Sequence, residues 1–262
     1  MTSSDSESPV ADPILVLGGT AEARALAAAL VEAGRPVISS LAGRVSDPAL
    51  PVGEVRIGGF STDVLDGGTG LAQFLIDRRI AVVVDATHPF AATITANTVE
   101  ATERTGTPLL RLQRPSWHDH PDADRWTWVD HVQQAVRAGA GSARPLLTTG
   151  RQSLAAFLDW ADKHATVRVV DPPEFDLPGR WRLIRSRGPY SYADELALMT
   201  AAGTDLLVTK DSGGLHTAAK LDAARDLGIG VLVIARPPLS PGVPVVESVS
   251  EVLAAVRMVL ST

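Results

Sequence analysis

Four predicted strands in the second half of the chain each end beside a cationic side chain. These cations are Arg151, Arg187, Lys210 and Arg236. In an open parallel sheet, ligands bind beyond the carboxyl ends of the strands. Cations that converge on that edge of an acidic protein predict an anionic ligand, because guanidinium groups bind carboxylates and phosphates through paired hydrogen bonds. The alternative is four side chains that are solvated independently.

A second chemical feature follows the first predicted strand. Gly18 and Gly19 allow a tight turn and the close approach of a ligand, and Thr20 can cap the helix predicted over Ala21–Ala33. Glu22 lies in the first turn of that helix. The unpaired amides at such a helix start bind phosphate, so the segment predicts a nucleotide site. The third glycine of the dinucleotide fingerprint is missing, and an ordinary strand–helix turn is the alternative interpretation.

The residues after the second predicted strand indicate which nucleotide such a site would take. In dinucleotide-binding folds this strand end meets the adenosine ribose, where an acidic residue favours NAD and an arginine accommodates the 2′-phosphate of NADP. The segment 39–44 has no acidic residue, whereas Ser40 and Arg44 suit a phosphate. The segment therefore favours NADPH over NADH.

Asp85 and His88 follow the fourth predicted strand and are candidates for acid–base chemistry. Pro89 keeps His88 out of helical geometry. A histidine beside a carboxylate can transfer protons during catalysis. In the alternative interpretation, Asp85 caps the next helix and His88 only packs against its neighbours.

Composition and charge exclude several classes of protein. The chain has 262 residues, a formal net charge of −6 and no cysteine. The lack of cysteine excludes disulfide scaffolds, thiolate metal sites, iron–sulfur clusters and cysteine nucleophiles. The acidic balance argues against nucleic-acid binding by bulk positive charge. His118 and His120 lie in a loop without matching ligands, so we expect no metal site.

Short aliphatic runs alternate with helical patterns along the chain, which is typical of an α/β fold with mostly parallel sheets. The run Ile80–Asp85 is apolar almost throughout, as expected of a strand that is buried on both faces. The predicted strands cover 14–17, 36–40, 54–57, 80–85, 108–111, 145–148, 167–170, 182–185, 205–209 and 230–234. The predicted helices cover 21–33, 70–78, 91–105, 152–159, 192–202, 215–227 and 248–260.

The alternation is interrupted in the segment 114–126 and again in the stretch 138–144. We therefore expect a disordered tail over 1–13, a first lobe over 14–138 and a second lobe over 139–262. The boundary is open to shifts, because strands can be exchanged between the two lobes. The tail lacks the basic and apolar regions of a signal peptide. No apolar run reaches the ~20 residues that span a bilayer. A cytoplasmic protein without a membrane partner is expected.

Six short motifs occur in a fixed order along the chain. They are LGGTAEA at 17–23, SLAGR at 40–44, DATHPFA at 85–91, TGR at 149–151, SRGP at 186–189 and TKDSGG at 209–214. Together they resemble the precorrin-6A reductase family of cobalamin biosynthesis, whose members use NADPH. The resemblance runs from Ile14 to the end of the chain.

The resemblance implies two Rossmann-like lobes with the active site in the cleft between them. It implies reduction of one carbon–carbon double bond of precorrin-6A to give precorrin-6B. The substrate is a polycarboxylated tetrapyrrole, and transient contact with neighbouring pathway enzymes is expected. The implied residues are Gly18, Gly19, Thr20, Glu22, Ser40, Arg44 and Thr87 for NADPH; Gly150, Arg151, Ser186, Arg187, Lys210, Ser212 and Gly213 for the substrate; and Asp85, His88, Lys210 and Asp211 for catalysis.

Several points stay open at this stage. The proton donor is one of Asp85, His88, Tyr190, Lys210, Asp211 and water. One alternative function is the same reduction of cobalt-precorrin-6A, since the metal would belong to the substrate. Another is a non-catalytic module that binds a nucleotide or a tetrapyrrole. A tetrapyrrole methyltransferase is disfavoured, because Ser40 and Arg44 suit a 2′-phosphate that its methyl donor lacks.

Overall fold

The computed structural model describes residues 11–43, 49–214 and 217–261. Within these ranges the chain forms twelve strands and seven α-helices. The strands are β1 (Ile14–Leu17), β2 (Val37–Leu41), β3 (Glu54–Ile57), β4 (Val82–Asp85), β5 (Leu109–Leu112), β6 (Thr127–Val129), β7 (Pro145–Leu147), β8 (Thr166–Val169), β9 (Arg182–Arg185), β10 (Leu206–Lys210), β11 (Gly230–Ile234) and β12 (Val245–Val246). The helices are α1 (Ala21–Glu32), α2 (Gly67–Asp77), α3 (Ala92–Thr105), α4 (Val132–Ala138), α5 (Tyr192–Ala202), α6 (Ala219–Asp226) and α7 (Val249–Val259).

The first of two compact units contains Met1–Arg114 and Leu239–Thr262. Its strands are parallel and lie in the order β12-β5-β4-β1-β2-β3. With β1 at the centre, this is the order of doubly wound dinucleotide-binding folds. The strand order reverses between β1 and β4, and ligands of such sheets bind beyond the carboxyl ends of these two strands.

The central strands of this sheet are covered on both faces. The residues of β1 and β4 are buried throughout, which explains their continuous aliphatic sequence. Val16 belongs to one buried cluster with Leu26 of α1 and Val252 of α7. Leu17 belongs to a second cluster with Leu71 of α2. Helices on both faces therefore fix the position of the end of β1.

The second unit contains Pro115–Pro238 and repeats this architecture. Its parallel strands lie in the order β6-β11-β10-β7-β8-β9, so β7 takes the place of β1 and β10 that of β4. The strand order reverses between β7 and β10. One buried cluster contains Leu146, Met199, Leu207, Leu221 and Val233.

The division of the chain differs from the predicted boundary at 138/139. The chain leaves the first unit after Arg114 and returns to it at Leu239. Two short strands account for the difference: β6 pairs with β11 in the second sheet, and β12 pairs with β5 in the first. Strands of three and two residues have little local signal, and pairing at the edge of a sheet decides which unit they join.

Most predicted elements match the structure to within a few residues. The segment predicted as a helix over 152–159 is a 3₁₀ helix, Arg151–Trp160. The elements α4, β6 and β12 have no counterpart among the predicted helices and strands. Residues 1–10 of the predicted tail lie outside the described residues, and so does Arg44. In the ranges that the structure describes, no helix combines the length and the apolar character needed to cross a bilayer.

Candidate functional site

The turn after β1 requires glycine at position 18. Gly18 has a φ of +118°, and a Cβ there would lie 2.8 Å from the carbonyl oxygen of Ala86 and 2.9 Å from Cα of Thr87. The amide of Gly18 donates to the carbonyl of Ser40 at 3.0 Å. Gly18 therefore allows the segments after β1 and β4 to touch at the point where the strand order reverses.

Thr20 fixes the start of α1 at the same point. Its hydroxyl accepts a hydrogen bond from the amide of Ala23 at 3.1 Å and donates to the carbonyl of Ala86 at 3.0 Å. The N-terminus of this twelve-residue helix has unpaired amides and a partial positive charge. Such an arrangement can hold a phosphate group.

Glu22 and Arg114 form an ion pair beside this helix start, with 2.8 Å between Oε1 and Nη1. Burial opposes ionisation of Glu22, but the hydrogen bond and the charge of Arg114 outweigh it, so the pKa of Glu22 lies below its ordinary value. A pocket at this edge of the first sheet is lined by Thr20, Thr87 and Pro89 together with the ion pair. The pair therefore forms a charged wall of that pocket.

Ser40 lies near the carboxyl end of β2 and is buried. Its hydroxyl accepts a hydrogen bond of 2.8 Å from Nη1 of Arg56, its register partner on β3. Arg56 was not among the predicted site residues, because only the pairing of β2 with β3 reveals its position. Arg44 lies outside the described residues, so its role at a 2′-phosphate stays a prediction.

Asp85 is the centre of a buried polar network. Its carboxylate pairs with Arg111 of β5 at 2.6 Å, and the two side chains are 2% and 1% exposed. It also accepts hydrogen bonds from the hydroxyl of Thr95 at 2.7 Å, and from the amide and hydroxyl of Thr87 at 3.0 and 2.7 Å. A buried charge requires such partners. These contacts therefore account for Asp85 without a reacting ligand.

His88 follows this network and is half-buried. Its Nδ1 accepts a hydrogen bond from the amide of Phe90 at 3.2 Å. In the neutral imidazole the hydrogen must then be on Nε2. Nδ1 of His88 thus shapes the turn, and Nε2 is the nitrogen that carries the proton.

Lys210 ends β10 beside β7, where the strand order of the second sheet reverses. Burial lowers the pKa of its ammonium group below the ordinary value. An ammonium group whose pKa is lowered gives up its proton more readily at neutral pH. The position and the pKa of Lys210 suit both contact with an anion and transfer of a proton.

Asp211 is buried and anchors the beginning of the second unit. It accepts hydrogen bonds from the hydroxyl of Ser116 at 2.6 Å and the amide of Trp117 at 3.1 Å, and it pairs with Nε of Arg236 at 3.1 Å. Arg236 also donates to the carbonyl of Pro115 at 3.1 Å. The carboxylate of Asp211 therefore has protein partners without a ligand. The same is true of Arg236, one of the four strand-end cations.

The loop after β10 is held tightly against this anchor. Gly213 has a φ of +66°, and a Cβ there would overlap Nη2 of Arg236 and the carbonyl oxygen of Pro115. The amide of Ser212 donates to the carbonyl of Lys210 at 2.7 Å. Glycine is therefore required at position 213, where the chain lies against Arg236 and Pro115.

The predicted segment after β7 begins a helix. Gly150, with a φ of +80°, precedes the 3₁₀ helix Arg151–Trp160, and no side chain caps that helix start. The space around a Cβ at Gly150 is open. A ligand could approach the backbone here at close range.

The predicted segment after β9, residues 186–189, is connected through Tyr190 to a buried ion pair. Arg168 and Glu195 form two hydrogen bonds of 2.8 Å, and the ring of Tyr190 lies 3.8 Å from the guanidinium carbon. The hydroxyl of Tyr190 donates to the carbonyl of Ser186 at 2.8 Å. Arg187, in the same segment, is exposed.

The predicted site residues thus fall into one set for each sheet. The carboxyl edge of the first sheet contains Gly18, Gly19, Thr20, Glu22, Ser40, Asp85, Thr87 and His88. That of the second sheet contains Gly150, Arg151, Ser186, Arg187, Lys210, Asp211, Ser212 and Gly213. In the described part of the chain, no group of three or more histidine, aspartate or glutamate side chains could hold a metal ion.

Comparison with known proteins gives a consistent result. A model of the family "Precorrin-6x reductase CbiJ/CobK" matches residues 13–257. A precorrin-6A reductase from Rhodococcus erythropolis is 48% identical over 242 residues, which cover 92% of this chain and 96% of the relative. A precorrin-6A reductase from Mycobacterium tuberculosis is 50% identical over 240 residues, which cover 90% and 93%. A cobalt-precorrin-6A reductase from Salmonella typhimurium is 32% identical over 251 residues, which cover 90% and 92%.

A solved structure gives the same family. The structure of CobK precorrin-6A reductase aligns with a TM-score of 0.87 and 36% identity, and the alignment covers 95% of this chain and 97% of that one. The family model and these relatives each match nearly the whole chain, including both sheets. This chain therefore belongs to the precorrin-6x reductase family.

Proposed function

We propose that this chain reduces one carbon–carbon double bond of precorrin-6A with NADPH, giving precorrin-6B in cobalamin biosynthesis. The observation that carries the proposal is an identity of 48% and 50% to precorrin-6A reductases over at least 90% of the chain. The relative named cobalt-precorrin-6A reductase is 32% identical, which favours the metal-free substrate. The proposal includes a cytoplasmic location and transient contact with neighbouring pathway enzymes.

In this proposal the first sheet binds the nucleotide. The start of α1, with Gly18, Gly19 and Thr20, holds the pyrophosphate, because its amides and partial charge favour an anion. The crowded backbone around Gly18 supports this assignment, since a side chain there would push the two segments apart. Ser40 and Arg44 are assigned to the 2′-phosphate. When bound, NADPH supplies the hydride.

The pocket beside α1 has a further part in the proposal. Glu22 and Thr87 line it, and both side chains are held by neighbouring residues, Glu22 by Arg114 and Thr87 by the buried Asp85. Rigid walls reduce the entropy lost when a ligand is ordered. We assign these two residues to the cofactor side of the site.

The second sheet binds the substrate in this proposal. Precorrin-6A has many carboxylates, and cations at the strand ends would pair with them. The assigned cations are Arg151, Arg187 and Lys210. Backbone and hydroxyl contacts are assigned to Gly150, Ser186, Ser212 and Gly213. Alignment of substrate and cofactor is the main contribution of the protein to the rate.

The reduction also requires a proton at the carbon next to the one that receives the hydride. We assign this proton to Lys210 or His88, because burial lowers the pKa of Lys210 and Nε2 of His88 is its proton-bearing nitrogen. Asp85 and Asp211 act as positioning residues, since their carboxylate oxygens accept hydrogen bonds from the hydroxyls of Thr87 and Ser116 respectively. They orient the loops in which the two candidate donors lie.

Anaerobic incubation of the purified protein with NADPH and precorrin-6A tests the proposal. We expect loss of NADPH absorbance together with a product that has gained a hydride and a proton, detected by mass spectrometry. A parallel incubation with cobalt-precorrin-6A that proceeds faster would overturn the metal-free assignment. Binding of both ligands without NADPH consumption from either substrate would instead favour the non-catalytic module.

A further inference from the structure

Arg56 is a cation to which the proposed function assigns no role. It lies on β3, where Nη1 donates to the hydroxyl of Ser40 at 2.8 Å and to the carbonyl of Gly58 at 3.2 Å. Its Nη2 donates to the carbonyl of Gly59 at 2.8 Å. The guanidinium carbon lies 4.0 Å from the centre of the Phe60 ring. Neutral partners therefore hold the group in one orientation.

These contacts use three of the five hydrogen-bond donors of the guanidinium group. The remaining donors are the Nε hydrogen and one hydrogen on Nη2, two nitrogens that share one edge of the planar group. Within the described ranges, neither of these hydrogens has a partner. Two adjacent donors on a rigid plane form the fork that binds a phosphate or a carboxylate.

The ion pairing of Arg56 also differs from that of two other arginines in the first unit. Arg78 pairs with Glu54 at 2.7 Å and Arg114 pairs with Glu22 at 2.8 Å, whereas no described carboxylate pairs with Arg56. Burial lowers the pKa of Arg56, which means that its surroundings disfavour the charged form. A partly buried cation without a counter-ion is stabilised when an anion binds.

The position of Arg56 in the fold indicates which anion this would be. Ser40 and Arg56 are register partners near the carboxyl ends of β2 and β3, and β2 lies next to the central strand β1. In dinucleotide-binding folds this strand end meets the adenosine ribose. Gly58, with a φ of +125°, turns the chain after β3 in a way that glycine readily allows.

We propose that Arg56 binds the 2′-phosphate of NADPH and thereby makes the chain prefer NADPH to NADH. The inference rests on the proposed function, because it requires a nicotinamide dinucleotide at the first sheet. Ser40 then contributes through Arg56: its hydroxyl holds Nη1, while Nε and the second hydrogen of Nη2 donate to the phosphate. Arg56 is in this sense a specificity-determining residue.

Fluorescence titration of the purified protein with NADPH and with NADH, in the absence of substrate, measures the preference directly. For Arg56→Gln we expect the NADPH affinity to fall roughly 10- to 100-fold, as for the loss of charge-assisted hydrogen bonds, and the NADH affinity to stay near that of the wild type. Arg56→Lys keeps the charge but lacks the two parallel donors, so its NADPH affinity should fall less than that of Arg56→Gln. Arg78→Gln is the matched control, because it removes a nearby charge that Glu54 already neutralises; it leaves the preference unchanged.

The outcomes separate this inference from the proposed function. If the wild type binds the two dinucleotides equally, or binds neither, the proposed cofactor and the role of Arg56 both fail. If the wild type prefers NADPH and both Arg56 variants, folded by circular dichroism, keep that preference, the role of Arg56 is overturned while the proposed reaction stands. If Arg56→Gln does not fold, Arg56→Lys alone tests the role of Arg56: a weakened preference for NADPH supports it, and an unchanged preference overturns it.

Discussion

Replacement of Asp85 by asparagine separates a structural role of this residue from a catalytic one. The change keeps the shape of the side chain but leaves Arg111 without its counter-ion at a position where the two side chains are 2% and 1% exposed. Nε of Arg111 already lacks a hydrogen-bond partner within the described ranges. Removal of one partner from a buried ion pair costs about 3–5 kcal/mol of unfolding free energy. That is a large share of the roughly 5–15 kcal/mol that stabilises a typical domain.

Urea unfolding followed by circular dichroism measures this loss, and NADPH consumption with precorrin-6A measures activity in the same preparation. We expect Asp85→Asn to lower the unfolding midpoint strongly and to retain turnover in the fraction that stays folded. The double variant Asp85→Asn/Arg111→Met removes the uncompensated charge as well. It should regain most of the lost stability, because the buried guanidinium charge that Asp85→Asn leaves without a counter-ion is no longer present.

Two results would refute this reasoning. An Asp85→Asn protein with wild-type stability and no turnover would show that Asp85 transfers a proton rather than holding Thr87 and Arg111. A double variant no more stable than Asp85→Asn alone would show that the unpaired charge of Arg111 is not the source of the loss.

Three further predictions concern other parts of the site. Gly18→Ala places a methyl group 2.8 Å from a backbone oxygen, so thermal unfolding and NADPH titration should both show a loss. Lys210→Ala and Arg187→Ala should each raise the KM for the substrate without changing the Kd for NADPH, and unchanged substrate kinetics would remove them from the site. Burial raises the pKa of Glu22, but Arg114 outweighs this effect and holds the pKa below the ordinary 4.5. The stability that this pair contributes is therefore present above the unfolded-state pKa. It is lost as the pH falls through the folded-state pKa. Urea unfolding should therefore show the wild type more stable than Glu22→Gln at neutral pH, with a difference that vanishes in acid.

The central strands of both sheets could be predicted from local sequence. Runs such as Ile14–Leu17 and Gly230–Ile234 are aliphatic because helices cover both faces of a parallel sheet, and this pattern needs no distant partner. The strands β6 and β12 could not be placed in this way. Each is short and lies at the edge of a sheet, so its assignment to a unit depends on pairing with a strand far away in the sequence.

The motifs also located the strand ends at which the candidate site residues lie. Gly18 and Gly213 follow strands and have positive φ values, as turns with close backbone contacts require. The motifs could not distinguish a reacting carboxylate from a structural one. Asp85 and Asp211 resemble acid–base residues in the sequence, but each is buried beside an arginine, Arg111 and Arg236 respectively.

By itself the sequence determined the α/β class, the strand ends that carry polar and cationic residues, and the resemblance to a reductase family. These properties depend on residues that are neighbours along the chain. Only the tertiary structure decided which unit each edge strand joins, which aspartates have arginine partners, and that Arg56 lies beside Ser40 without a described counter-ion. These are properties of residue pairs that strand pairing brings together, and no local pattern in the sequence encodes them.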